Sequence, residues 1–141
     1  MLTIQDDLEV VGTFQLGQVY NIRRWADSEK GHARPLEAYT EKCGVFQCQE
    51  QDEEDESKFM ARYLVVTPSV LLLLDPVEKV EGFGTLQAWA SLQSLNKIRR
   101  NNVMQELMTL IFKAAEERQP WVLNLMVQNH WQCIELVCRH L

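Results

Sequence analysis

Between Phe59 and Asp75 the chain reads FMARYLVVTPSVLLLLD, two apolar, strand-length runs hinged on Thr67, Pro68 and Ser69. Successive side chains of a strand point to opposite faces, so Phe59, Ala61, Tyr63 and Val65 oppose Met60, Arg62, Leu64 and Val66. Both faces are apolar except at Arg62, and Val70 to Leu74 is apolar throughout. Such a hairpin needs a core on one side and a covering element on the other. Asp75-Pro76 ends it, because proline has no N–H to give to a ladder.

The chain is 141 residues long, which is one domain's worth. Its 46% hydrophobic and 24% charged content is that of a folded globular unit. Twenty acidic residues against fourteen basic ones leave a net charge of -6, which argues against nucleic acid as a ligand, since phosphate binding relies on Lys and Arg. The run Val70 to Leu74 is far shorter than the roughly 20 residues of a membrane span. Asp6, Asp7 and Glu9 stand where a signal peptide would carry basic residues. A cytoplasmic location is expected.

Four cysteines, Cys43, Cys48, Cys133 and Cys138, then read as free thiols. A zinc site with His130 and His140 is the competing reading. On a helix, though, Cys133 and Cys138 point about 140° apart, a poor chelate. Neither metal nor cofactor is expected. No glycine-rich phosphate loop, nucleophile elbow or H-E-x-x-H motif occurs, so the expectation is a protein without enzymatic activity.

Thr3 to Tyr20 carries Ile4, Leu8, Val11 and Phe14 near helical spacing, which suggests an N-terminal helix, although Val10, Val11, Gly12 and Gly17 leave a strand open. Asn21 to Pro35 reads as a connector. A first strand is expected over Ala38 to Gln49, bent near Gly44. Gln49 to Ser57 then brings Glu50, Asp52, Glu53, Glu54, Asp55 and Glu56 with no apolar side chain, a solvated loop.

After the hairpin, Val77 to Gly84 is a charged turn and Thr85 to Ala90 a strand, with Leu86, Ala88 and Ala90 facing one way and Gln87 and Trp89 the other. Leu92, Leu95 and Ile98 lead to the basic cluster Lys97, Arg99, Arg100, followed by a turn at Asn101-Asn102. Leu107 to Ala115 and Trp121 to Val127 form a further hairpin. Asn129 is a good N-cap for a closing helix, where Trp131, Ile134, Cys138 and Leu141 fall on one stripe. The helix runs to the last residue without a stop signal, as in a domain excised from a longer protein.

The segments RYLVVTPSVLLLLD (Arg62 to Asp75), AWASLQSLNKIRR (Ala88 to Arg100) and WVLNLMVQNHWQCIELVCRHL (Trp121 to Leu141) resemble strands two and three, strand four with the step into five, and the last strand with the closing helix of the pleckstrin-homology (PH) domain. The resemblance implies a mainly β fold with α: a seven-stranded, bent antiparallel sheet or partly open barrel, capped by the C-terminal helix. Residues 38–141 would be the PH-like domain, and 1–37 an N-terminal extension of helix plus connector. Trp131, Ile134, Cys138 and Leu141 would plug the open corner.

Family members that bind phosphoinositides use a Lys, a spacer, then a Lys or Arg one residue before an Arg. The nearest match here is Lys42, then Lys58 and Arg62, the last two roughly 13 Å apart along a strand, beside an acidic loop that repels an anionic head group. The leading expectation is therefore a protein-interaction module, an adaptor or scaffold within a larger trafficking or signalling protein. Its partner is a protein or another domain of the same chain, with Trp25, Lys97, Arg99 and Arg100 as candidate contacts. Phosphoinositide binding through Lys42, Lys58 and Arg62 is the alternative, and homodimerisation through the N-terminal segment a third reading.

Overall fold

The computed structural model describes residues 14–22, 43–113 and 122–141. They form eight strands: β1 (Val19–Asn21), β2 (Gly44–Gln51), β3 (Phe59–Val66), β4 (Val70–Pro76), β5 (Phe83–Ser91), β6 (Leu95–Arg100), β7 (Leu107–Phe112) and β8 (Val122–Val127). A 3-10 turn, Leu92–Ser94, joins β5 to β6, and helix α1 (His130–Arg139) closes the chain. The strands make one antiparallel sheet in the order β1-β5-β4-β3-β2-β8-β7-β6. It is open, because its two end strands, β1 and β6, do not pair with each other.

The β3–β4 hairpin lies in the middle of one half of this sheet, with Val66 opposite Leu71 and Tyr63 opposite Leu74. Its hinge is tied by Thr67, which is fully buried. The Thr67 N–H donates to the Val70 carbonyl at 2.9 Å, and its hydroxyl accepts from the Val70 N–H at 3.0 Å. A buried hydroxyl needs such partners, and here the turn itself supplies them.

The period of two sorts the hairpin into two separate cores. Leu64, Val66, Leu71 and Leu73 join Met108, Leu110, Leu123, Leu125, Val127 and the helix residues Cys133, Leu136 and Val137 in an inner core. Strands from both halves of the sheet order contribute to this cluster, so the sheet curls over itself. On the other face Tyr63, Val65, Val70, Leu72 and Leu74 pack with Val45, Leu86, Phe14, Tyr20 and Ile22. The apolarity of both faces thus has a separate cause on each.

The described part of the N-terminal segment is extended where a helix was expected. Gly17 takes φ +84°, the N–H of Gly17 donates to the Leu86 carbonyl at 2.8 Å, and Tyr20 stands opposite Gly84 in the β1–β5 ladder. The left-handed turn and the burial of Tyr20 and Ile22 outweigh the weak helical spacing. Asn21, expected to open the connector, ends β1 instead. Residues 1–13, 23–42 and 114–121 lie outside the described residues, and with them the rest of the connector, Ala38 to Lys42 and Trp121.

Two further expectations change. Leu86, Ala88 and Ala90 do not share a face: Leu86 belongs to the outer core, while Ala88 and Ala90 pack against the inner one. The ladder pairs Leu73 with Ala88 but Leu74 with Leu86, so a bulge takes up Gln87 and flips the phase. On α1, His130, Cys133, Leu136 and Val137 are buried, Ile134 is half-buried, and Trp131 is 56% exposed, with Cys138 exposed as well; Leu141, beyond the helix, is 65% exposed. The inward stripe is therefore turned about 100° from the expected plug. Cys133, Leu136 and Val137 have the same three- and four-residue spacing as the rejected set, and periodicity does not choose between two such stripes.

Candidate functional site

At one end of the curled sheet a cavity of about 360 Å³ opens between the β2–β3 loop and strands β3, β4, β5 and β8. Leu73, Ala88 and Leu123 line it from the inner core, and Met60 adds apolar surface. Glu50, Asp52, Glu53 and Glu54 supply its charge, with Arg62, Gln51 and Gln87 as the remaining basic and polar lining.

Arg62 is the residue on which a phosphoinositide site would depend, and the register occupies it. Cys48 pairs with Arg62 across β2–β3, which makes Glu50 a diagonal neighbour on the same face. The guanidinium Nε donates to Glu50 Oε1 at 3.0 Å, and Nη1 donates to Asp75 Oδ1 at 3.3 Å and to the Ala61 carbonyl at 3.0 Å. Only 14% of the Arg62 side chain is exposed. A half-buried arginine bridging two carboxylates on neighbouring strands is held firmly, since removing either partner leaves charge uncompensated. In the sequence Glu50 reads only as part of the acidic loop and Asp75 only as a strand end, because only the strand register places them beside Arg62.

The acidic loop is ordered by its own side chains. Asp52 Oδ1 accepts the N–H of Glu54 at 2.9 Å, and Asp55 Oδ1 accepts both the N–H and the hydroxyl of Ser57, at 3.0 and 2.6 Å. Those bonds from Ser57 hold the Asp55 carboxyl below its ordinary pKa. Backbone bonds from Asp52 N–H to the Lys58 carbonyl and from Lys58 N–H to the Asp55 carbonyl, each 2.9 Å, close the turn. Lys58 itself is exposed, outside β3. Lys42 and Trp25 lie outside the described residues.

The basic cluster is placed elsewhere. Lys97, Arg99 and Arg100 are exposed on β6, and the Arg100 guanidinium lies over the Trp131 ring, 4.1 Å from its centroid. Two residues taken as unrelated in the sequence, one as a contact and one as a core plug, thus form a cation–π pair on the surface. Trp89 is half-buried beside Phe14, with ring centroids 5.8 Å apart.

Of the cysteines, Cys43, Cys48 and Cys133 are buried and Cys138 is exposed, all as free thiols. Burial pushes the Cys48 thiol far up, with Cys133 and Glu50 adding to it, and pushes Cys133 up to about 12. Protonated, enclosed thiols are poor nucleophiles and poor ligands. Among the described residues no group of three or more His, Cys, Asp or Glu is arranged to hold a metal ion, and no helix is long and apolar enough to cross a membrane.

No protein-family model matches the sequence, and no curated protein matches it. Solved structures do. The chain is similar to the DH/PH domains of p115-RhoGEF, with TM-score 0.53 and 13% identity over 68% of this chain and 29% of that one. It is similar to the DH/PH domains of PDZ-RhoGEF in complex with GTP-gamma-S activated RhoA, with TM-score 0.51 and 14% identity over 69% and 29%. The N-terminal PH domain of human ARAP2 aligns at TM-score 0.52 and 8% identity over 78% of this chain and 84% of that one. The chain thus spans under a third of the two exchange-factor chains and most of the ARAP2 domain. At these identities the likeness is one of fold. The fold is PH-like: an open antiparallel sheet capped by a C-terminal helix, with eight strands among the described residues where seven were expected.

Proposed function

We propose that this chain is a non-catalytic protein-interaction module, working in the cytoplasm as part of an adaptor, trafficking or signalling protein, and that its acidic mouth takes a basic segment of a partner protein or of another domain of its own chain. The observation that carries this reading is the commitment of Arg62 to Glu50 and Asp75. With its one cation spent internally, the mouth presents Asp52, Glu53 and Glu54 around an apolar floor of Leu73, Ala88 and Leu123. A Lys or Arg side chain matches that combination, because its aliphatic stem covers apolar surface while its head group reaches the carboxylates.

The test is titration of the 141-residue chain with an arginine-rich peptide and, separately, with vesicles containing phosphoinositides. Peptide binding that weakens as salt rises, and is lost in the Glu53→Lys/Glu54→Lys variant, is the expected result. Vesicle recruitment that depends on Arg62, with no peptide binding, overturns it in favour of the membrane reading.

A further inference from the structure

Strand β6 ends the sheet, and among the described residues its ladder partner is β7 alone. The Asn101 N–H donates to the Leu107 carbonyl at 3.1 Å, and Arg100 and Arg99 follow in register opposite Met108 and Thr109. Antiparallel ladders bond alternate residues, so Asn101 and Arg99 turn their backbone groups to β7 while Arg100 and Ile98 turn theirs to the open side. Among the described residues no strand pairs with that side.

The side chains along it share one sign. Lys97, Arg99 and Arg100 are exposed, in a chain whose net charge is -6, and the ion pairs of the described residues use Arg62 and Arg139 but none of these three. Arg100 rests on the exposed Trp131 ring instead of a carboxylate. The arrangement is the opposite of the mouth, where the one arginine is doubly paired.

We propose that β6 is a docking edge for an extended acidic segment of a partner protein, which adds to the sheet as a strand and sets its carboxylates against Lys97 and Arg99, with Arg100 and Trp131 at one end. The edge shares no residue with the cavity at the mouth and does not rest on the reading of that site. Its cations would attract any polyanion, but only a peptide backbone supplies N–H and C=O groups in the phase that Ile98 and Arg100 present. Basic residues on an edge also discourage edge-to-edge aggregation. A purely protective edge of that kind binds nothing.

The experiment uses the isotope-labelled 141-residue chain and a synthetic peptide of about ten residues alternating glutamate and valine, a length that spans one strand with room at each end. Three comparison probes are the same peptide N-methylated at alternate residues, its lysine-for-glutamate counterpart, and a single-stranded oligonucleotide. Expected are amide shifts at Ile98 and Arg100, roughly tenfold weaker binding by the Lys97→Glu/Arg99→Glu variant, and loss of binding on N-methylation. No binding of the acidic peptide overturns the proposal. So does equal binding of the N-methylated peptide or the oligonucleotide, which would mean attraction of charge without strand pairing. Should the double variant fail to fold, the N-methylated peptide on the native chain still decides.

Discussion

One face of the β3–β4 hairpin meets β7, β8 and the closing helix; the other meets Phe14, Tyr20 and Ile22 from the start of the described chain. Both faces exclude water to the same degree, with Leu64 and Leu72 each 1% exposed. The inner cover is a curled sheet with its helix and draws on residues up to 73 positions away, from Leu64 to Val137. The outer cover includes a three-residue strand at the sheet's edge. An apolar face therefore tells that a cover exists, and nothing about how much structure it takes to build one.

The comparison breaks most visibly if the two faces differ in stability. Leu64→Ala and Leu72→Ala should each cost about 3 kcal/mol in denaturant unfolding, as deletion from a packed core does. A Leu72→Ala cost of about 1 kcal/mol or less would mean that the outer layer is loose and refills the space.

A second test adds volume to the outer face alone. A Cβ at Gly84 would stand 2.8 Å from Leu74 Cβ and 3.3 Å from the Tyr63 ring, so Gly84→Ala should destabilise by about 2 kcal/mol. The inner core should keep its packing, and amide exchange should quicken in β1 and β5 before β7 and β8.

The inner face carries a pH signature. Unfolded, Cys133 loses its proton from about pH 9, whereas folded it holds it until about 12. The folded state therefore binds more protons across that interval, so stability is full below pH 9 and falls as pH rises through the window, by at most about 1.4 kcal/mol per pH unit for this thiol. Cys133→Ala should flatten its share of the slope in melts between pH 8 and pH 11.

The smallest effect concerns the cover itself. The Tyr20 hydroxyl accepts the Gln15 N–H at 3.0 Å, and Tyr20→Phe should lower stability by about 1 kcal/mol without moving the ring. A loss as large as that of Leu72→Ala would show that this bond, more than the buried ring, holds the segment down.

The same contrast explains what could be read before the structure. FMARYLVV and VLLLL announce a two-faced hairpin, because alternation in an extended chain depends on the backbone alone. The acidic stretch from Glu50 to Glu56 likewise makes the mouth anionic whatever its exact path. At Leu86 the reading failed, since a bulge shifts the period by one and leaves no mark in composition.

What the sequence determined by itself, then, was local: the two strands of the β3–β4 hairpin, its turn at Thr67, the closing helix and the sign of the charge in the loop. The tertiary structure alone decided that Arg62 lies between Glu50 and Asp75, that Phe14, Tyr20 and Ile22 join the outer core, and that Trp131 faces out to carry Arg100. Each of these depends on register or on the rotation of a packed helix, and a shift of one residue in either exchanges inside for outside without altering the pattern.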